Sequence, residues 1–147
     1  MASVNTHDLP PAAGYLEYGH VKLREQLGLL SGPVEEFQKS AEAEHNAMLS
    51  MLVDEGYLDA SALEDELANE NEIIDALYRG LKGSPCKLMA ASIVDAVGEK
   101  RTQNQPGTSN EYPNWRIPLA DGDGNVVPLE QLFDNTRLQE IAAIMCG

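Results

Sequence analysis

The run Leu88-Met89-Ala90-Ala91-Ser92-Ile93-Val94 decides the fold that this sequence predicts. The run is almost continuously apolar, and Pro85 and Gly98 bound it on its two sides. A short apolar stretch between such residues is typical of a strand that is buried on both faces in a parallel sheet. We therefore predict a buried parallel strand over 88–94, with Asp95 at its carboxyl end.

A second, very short strand is predicted over 2–5, at the beginning of the chain. It leads at once into the polar cluster Thr6-His7-Asp8, and Pro10-Pro11 follows two residues later. The proline pair excludes a helix at that point and holds the chain extended, because proline lacks an N–H and restricts the residue before it. The sequence therefore predicts a strand end that feeds a polar loop.

Apolar residues at helical spacing predict helices between and after the two strands. The predicted ranges are 20–30, 31–56 with Ser31 as N-cap, 61–83 with a capping box at Ser61 and Glu64 and a break near 69–71, and 129–145. A polar loop over 98–118 and a turn over 121–125 follow the second strand. This order is that of two βα units with a helical expansion between them. The predicted class is α/β, with functional sites at the carboxyl ends of the strands.

The composition excludes several classes of partner. Of the 147 residues, 10 are Lys or Arg and 24 are Asp or Glu, which gives a net charge of −14. Nucleic acid and anionic lipid both require a positive protein surface, so we expect neither a nucleic acid nor a membrane as partner. The first residues lack the basic and apolar regions of a secretory signal. Cys86 and Cys146 form no disulfide framework, and we expect free thiols in a cytoplasmic protein.

The cluster Thr6-His7-Asp8 is a candidate site with two interpretations. Asp8 and Thr6 can simply cap the turn before Pro10. Alternatively, Asp8 points a carboxylate at a polar or cationic reacting centre, with His7 beside it as a hydrogen-bonding residue. Spacing alone leaves both interpretations open.

The loop over 103–116 is rich in amide side chains and also contains Tyr112 and Trp115, the only tryptophan of the chain. Amides and hydroxyls interleaved with aromatic rings suit a carbohydrate, since sugars offer hydroxyl groups for hydrogen bonding and C–H faces for stacking. The alternative is a surface loop that Trp115 pins to the protein. Composition does not decide between them.

Other motifs carry no catalytic prediction. Residues 121–125 resemble the start of a calcium loop, but Val126 and Leu132 occupy the places that require glycine and glutamate, so we predict a tight turn. His20 and His45 have no partner at metal-ligand spacing, and we expect no metal. The acidic stretch over 64–72 is interpreted as a solvated helix face, and Cys86 as a structural residue.

Two motifs, in this order, resemble a known family. Asn5-Thr6-His7-Asp8-Leu9-Pro10, followed by Ala13-Gly14-Tyr15, is similar to the region after the seventh barrel strand of the 4-α-glucanotransferases, the amylomaltase or disproportionating enzymes of glycoside hydrolase family 77. Asn104-Gln105-Pro106-Gly107-Thr108, with Tyr112-Pro113-Asn114-Trp115-Arg116, is similar to the segment after that family's last strand. The intervening and final segments resemble actinobacterial-type members.

The resemblance implies a division of the chain. It covers essentially all 147 residues, but only the C-terminal part of the family's chain. The implied fold is α/β: strands seven and eight of a (β/α)8 barrel, with a mostly helical segment between them. Residues 1–19 would form the end of strand seven and the catalytic loop, 20–85 the helical segment, 86–118 strand eight and the substrate loop, and 119–147 the turn and terminal helix.

The resemblance also implies residue roles. Asp8 corresponds to the family's third carboxylate, which stabilises the transition state. His7 would contact the same sugar, and Asn104, Asn114 and Trp115 would bind substrate and shape the loop. Asp95 resembles a strand-end acid of the family and is a weaker candidate. The nucleophile and the acid/base come from strands four and five in the family, so neither is in this chain, and no cofactor or metal is implied.

The function implied is transfer of α-1,4-glucan segments between maltooligosaccharides by retaining double displacement, in glycogen and maltodextrin metabolism. We expect the isolated chain to be inactive without the N-terminal part of the barrel, its other implied partner. One alternative is a non-catalytic acidic helical module that binds a protein or a glucan. Another is a fragment of a different carbohydrate-active barrel.

Overall fold

The computed structural model describes residues 1–147, and its two strands are neighbours although they are far apart in sequence. β1 (Ala2–Ser3) and β2 (Met89–Ala90) pair in parallel, with Ala2 opposite Met89 and Ser3 opposite Ala90. Parallel strands require a long crossover, which the helical segment between them provides. The predicted α/β class and the parallel relation of the two strands are confirmed.

The predicted strand over 88–94 is too long. Only Met89–Ala90 is a strand, and α5 (Ile93–Val97) begins three residues after it. Gly98 ends α5 in the left-handed conformation, with φ at 75°, which is the common way for a helix to stop. An apolar run of this length fits either element, and here its second half buries one side of a short helix. Asp95 therefore lies in α5 and not at the end of a strand.

Helices make up the connection between the strands and the rest of the chain. They are α1 (Ala12–Leu16), α2 (Gly19–Gln26), α3 (Val34–Asp54), a 3₁₀ helix (Ala60–Glu64), α4 (Glu70–Gly83), α5, α6 (Leu129–Leu132) and α7 (Thr136–Cys146). α1 was not predicted, since it begins directly after the extended Pro11. None of these helices is both long and apolar enough to cross a membrane.

Three helix starts differ from the sequence prediction. Pro33, and not Ser31, precedes α3, because its backbone is extended and it needs no N–H there. The capping box at Ser61 gives a 3₁₀ helix, in which the Asp59 carboxylate accepts hydrogen bonds from the N–H and the hydroxyl of Ser61. The last predicted helix is divided, because the Asn135 side chain caps α7 by accepting from the N–H of Leu138 at 2.8 Å.

Two local predictions are confirmed. α4 begins at Glu70, where the break near 69–71 is expected. The tight turn over 121–125 forms, with the N–H of Asp121 donating to the carbonyl of Asn125 at 2.9 Å. The Asp121 carboxylate accepts from the N–H groups of Asp123 and Asn125, so its role is to stabilise the turn.

α4 lies at the centre of the hydrophobic core. Its buried side chains Ile73, Ile74 and Tyr78 have no exposed surface, and α1 and α7 pack against it. On the α7 side, the Arg137 guanidinium contacts both carboxylate oxygens of Asp75 on α4, at 2.8 and 3.3 Å. α4 is therefore covered on two sides, by α1 and by α7.

Gly14 allows α1 to approach the second of those loops. A Cβ atom at Gly14 would lie 2.2 Å from the carbonyl oxygen of Lys100, a distance that no side chain can occupy. The Lys100 backbone is itself held in place, because its N–H donates to the buried carboxylate of Glu99. The glycine of the Ala13-Gly14-Tyr15 motif is therefore required for packing.

Candidate functional site

The loops after β1 and β2 meet in space, as the α/β prediction requires. The N–H of Asn104 donates to the carbonyl of His7 at 3.1 Å, and the Asn104 side-chain amide donates to Oδ1 of Asp8 at 2.6 Å. The rings of His7 and Trp115 lie with their centroids 5.0 Å apart. Asp8, His7, Asn104 and Trp115, four of the residues selected from the sequence, therefore form one cluster.

The cluster is open to solvent and borders two cavities. The larger, of about 430 Å³, lies against the carboxyl ends of the strands and is lined in part by Thr6, His7, Ser92 and Gln103. Its volume is within the range of small-molecule sites. Asp8 borders a smaller cavity of about 200 Å³ instead. The Nε2 atom of His7 lies 3.4 Å from Oδ2 of Asp8, and Leu9 lines both cavities.

Trp115 adopts an unusual backbone conformation. Its φ is 61°, in the left-handed region that large side chains avoid, and its N–H donates to the carbonyl of Gln103 at 2.9 Å. The side chain remains 64% exposed beside His7. Such strain persists only where the surroundings impose it, and it is concentrated at binding sites. The indole ring thus forms an exposed apolar surface at the edge of the cluster.

Asn114 lies outside the cluster, although the sequence selected it as a substrate-binding residue. Its Oδ1 accepts from the N–H of Gln105 at 2.8 Å, and its Nδ2 donates to the Thr108 hydroxyl at 2.8 Å. These bonds tie the two ends of the loop segment over 105–114 together. Both polar atoms of the amide are thereby occupied within the loop.

Asp95 is buried beneath the cluster, with 1% of its surface exposed. Its carboxylate accepts hydrogen bonds from the Asn5 side chain at 2.7 and 2.9 Å, from the N–H of Ala12 at 2.8 Å and from the Tyr78 hydroxyl at 2.6 Å. Burial raises the pKa of Asp95, although these three donors oppose the shift. Burial and the charge of Asp95 also raise the pKa of Tyr78. The sequence prediction of a strand-end acid is wrong in its location, and it missed Tyr78 and Asn5 as partners.

Glu99 is a second buried carboxylate, and no sequence signal indicated it. It accepts from the Arg101 guanidinium at 2.7 and 2.8 Å and from the N–H of Ala120 at 3.0 Å. Burial alone would raise the pKa of Glu99, but the hydrogen bonds and charge of Arg101 outweigh it and lower the pKa. Glu99 thus holds together the two ends of the loop that carries Asn104 and Trp115.

His45 is also buried, and its partner corrects the interpretation of the acidic stretch. Its Nε2 atom lies 2.6 Å from Oε2 of Glu66, and its ring packs near those of Tyr15 and Tyr18. Glu66 is therefore half-buried between the 3₁₀ helix and α4, so the stretch over 64–72 is not one solvated helix face. This pair lies among α1, α3 and the core and has no contact with the cluster above.

These features define the class of the protein. Two parallel strands lead into loops that meet beside an open cavity, and carboxylate, imidazole, amide and indole groups surround it. This is an α/β protein with an open, ligand-sized cavity at the carboxyl ends of its strands, which is where α/β proteins commonly place their sites.

The sequence profile of the family described as 4-alpha-glucanotransferase matches residues 1–122, and the chain belongs to that family. The 4-alpha-glucanotransferase of Mycobacterium tuberculosis is 48% identical over 142 residues, which are 97% of this chain and 19% of the relative. That of Haemophilus influenzae is 28% identical over 94% of this chain and 19% of its own length.

A solved structure shows the same relation. The crystal structure of amylomaltase from Corynebacterium glutamicum superimposes with a TM-score of 0.81 and 36% identity. The match covers 97% of this chain and 21% of that protein. This chain thus spans about a fifth of the length of the relatives it matches.

Proposed function

We propose that this chain is part of a 4-α-glucanotransferase that moves α-1,4-glucan segments between maltooligosaccharides. Within it, residues 1–147 would supply strands seven and eight of a (β/α)8 barrel, with 1–19 and 86–118 carrying the two site loops. The likeness to the amylomaltase of C. glutamicum and the parallel pairing of β1 with β2 support this placement. The nucleophile and the acid/base would then come from barrel strands outside these residues.

The observation that carries the proposal is the convergence of Asp8, His7, Asn104 and Trp115 from two distant segments. Carboxylate and amide groups suit sugar hydroxyls, and the exposed indole of Trp115 offers a face for the C–H side of a sugar ring. The −14 net charge of the chain is compatible with a neutral substrate such as a glucan.

Asp8 would act on the transition state. Retaining transfer forms and breaks a covalent glycosyl-enzyme through transition states that resemble an oxocarbenium ion. A fixed anion beside that developing positive charge stabilises the transition state more than the ground state. Asn104 is placed to orient the carboxylate through its 2.6 Å bond to Oδ1, while His7 would hydrogen-bond the same sugar. Asn114 would act indirectly, by holding the shape of the loop.

A chimera tests this proposal. The C. glutamicum amylomaltase is prepared with its matching 21% replaced by this chain, and maltotriose is the substrate. We expect the chimera to form glucose and longer maltooligosaccharides, and this chain alone to form neither. Asp8→Asn should lower kcat by about 100- to 1000-fold, because it removes the anion while keeping the shape. Asp123→Asn, at an exposed turn, is the matched control and should leave turnover unchanged.

The outcomes separate the interpretations. Inactivity of a folded chimera, together with binding of maltooligosaccharides by this chain alone, would favour a glucan-binding module over a catalytic segment. Full turnover by the Asp8→Asn chimera would remove Asp8 from the mechanism. We further infer a cytoplasmic location and a place in glycogen and maltodextrin metabolism, which the free thiols of Cys86 and Cys146 support.

A further inference from the structure

One buried carboxylate holds both ends of the loop that presents His7 and Asp8. Oδ1 of Asp95 accepts from the Asn5 side chain at 2.7 Å and from the N–H of Ala12 at 2.8 Å. Asn5 and Ala12 immediately flank residues 6–11, so a single oxygen atom fixes the distance between the two ends of this segment. Few other contacts do so, since Thr6, His7, Asp8 and Leu9 are all exposed.

The second oxygen of Asp95 ties this arrangement to the core. Oδ2 accepts from the Tyr78 hydroxyl at 2.6 Å, and that hydroxyl in turn accepts from the N–H of Ser92 at 3.0 Å. Tyr78 lies on α4 and has no exposed surface. Because Tyr78 lies on the central helix of the core, its hydroxyl links the Asp95 carboxylate to the core. Asp95 in turn contacts Asn5 and Ala12 at the two ends of the loop.

All the polar neighbours of the Asp95 carboxylate are donors. Asn5, Ala12 and Tyr78 together donate four hydrogen bonds to it, and no cation touches it. An ionised carboxylate accepts all four of these bonds. A carboxamide keeps one acceptor oxygen and turns an N–H group toward a remaining partner, so Asp95→Asn loses at least one hydrogen bond from Asn5 or Tyr78 without changing the volume of the side chain.

We propose that Asp95 is a positioning residue, which fixes the segment over 6–11 in the conformation that sets His7 against Trp115 and Asp8 against Asn104. Asp95 touches no ligand in this role. The expected loss of turnover rests on the proposed transferase function, whereas the expected displacement of the segment over 6–11 does not. Misplacement of catalytic groups by about 1 Å costs about 100-fold in rate, so the effect on turnover is measurable.

Fluorescence of the 147-residue chain tests the conformation directly. Trp115 is the only tryptophan, and its indole ring lies against the imidazole of His7 with the ring centroids 5.0 Å apart. We expect His7→Ala to change the emission of Trp115 at a fixed pH, because it removes the ring in contact with the indole. Asp95→Asn should produce about half or more of that change, because a loosened loop separates the two rings.

Asp75→Asn is the matched control for a purely structural effect. Asp75 is also a carboxylate held by hydrogen bonds on the core, and it lies on the same helix as Tyr78, but it contacts Arg137 of α7. Its substitution should lower the thermal midpoint and leave the Trp115 emission as it is in the wild type. If Asp95→Asn does not fold by circular dichroism, Asn5→Ala takes its place, because it removes the link of Asp95 to one end of the loop. A wild-type Trp115 emission in the folded variant overturns the proposal.

The chimeric transferase supplies the second measurement. Asp95→Asn should lower kcat by about 10- to 100-fold with KM within about threefold, because the loop it positions acts on the transition state. Asp75→Asn should leave both constants near those of the unsubstituted chimera. If the unsubstituted chimera is inactive, the transferase proposal fails, and the fluorescence result still decides the role of Asp95. If kcat of Asp95→Asn is unchanged, the positioning role is overturned.

Discussion

Two Gly→Ala substitutions, one in α1 and one in α4, test the close approach of α1 to Lys100, because they should change the unfolding free energy in opposite directions. At Gly14, an added Cβ would lie 2.2 Å from the carbonyl oxygen of Lys100 and 3.0 Å from its carbonyl carbon. At Gly80, in α4, the closest atoms would be side-chain carbons of Tyr57 and Leu52 at 3.6 and 3.7 Å, which is ordinary contact. The same chemical change is therefore impossible without movement at one site and easily accommodated at the other.

The expected magnitudes follow from these distances. The Lys100 backbone would have to move by about 1 Å, and overpacking of this kind costs about 1–3 kcal/mol. The Lys100 N–H is bonded to Glu99 and its side chain to Glu17, which places the cost toward the upper end. The higher helix propensity of alanine offsets about 1 kcal/mol of this cost, so we expect Gly14→Ala to lose about 2 kcal/mol of unfolding free energy. Gly80→Ala should gain about 0.5 kcal/mol.

Urea unfolding followed by circular dichroism provides the measurement. The midpoint should fall for Gly14→Ala and rise slightly for Gly80→Ala, with m unchanged in both, because neither variant alters the surface exposed on unfolding. A Gly14→Ala protein as stable as the wild type would show that α1 does not approach Lys100 as described. A shift of both variants in the same direction would show that propensity, and not the close approach, governs them.

Two further predictions concern buried and half-buried carboxylates. Glu99 has a lowered pKa in the folded protein, so its contribution to stability is present above the ordinary value of 4.5 and is lost as the pH falls through the folded value. The difference in unfolding free energy between wild type and Glu99→Gln should therefore shrink as the pH is lowered below 4.5. A difference that stays constant with pH would refute this. Arg137→Met should lose about 1–2 kcal/mol in urea unfolding because Asp75 is left without its two-point partner. Arg79→Met, whose contact with Asp75 is 3.9 Å long and exposed, should lose less than about 0.5 kcal/mol, and equal losses would contradict the assignment.

The sequence predicted what depends on local pattern and on motif order. The parallel relation of the two strands followed from an apolar run and a strand-like beginning, although the run over 88–94 contained both a strand and the start of α5. Periodicity cannot separate these two elements in so short a stretch, and Gly98 ends a helix as readily as it bounds a strand. The turn over 121–125 was predictable because Asp, Gly and Asn act on their own backbone.

The sequence could not predict which polar residues are buried. Asp95 and Glu99 are four residues apart and look alike in the sequence, yet one holds the loop after β1 and the other the loop after β2. Tyr78, the partner of Asp95, lies on a separate helix, and Arg101, the partner of Glu99, lies in an ordinary polar segment. Asn114 resembled a ligand-binding amide, but its bonds stay within its own loop. Only the three-dimensional arrangement distinguishes a group that faces a ligand from one that holds the backbone.

The distance in sequence between Asn5 and Asp95 determines when the site can form as the chain folds. The two residues are 90 positions apart, whereas the contacts among the helices between them are more local. Closing such a long loop carries an entropic cost that only the finished strand pair and carboxylate contacts offset, so local helices can form earlier. During synthesis, the ribosome must release Asp95 before residues 6–11 can be fixed. Residues 6–11 can therefore be fixed only after the helices that lie between them and Asp95 have been made.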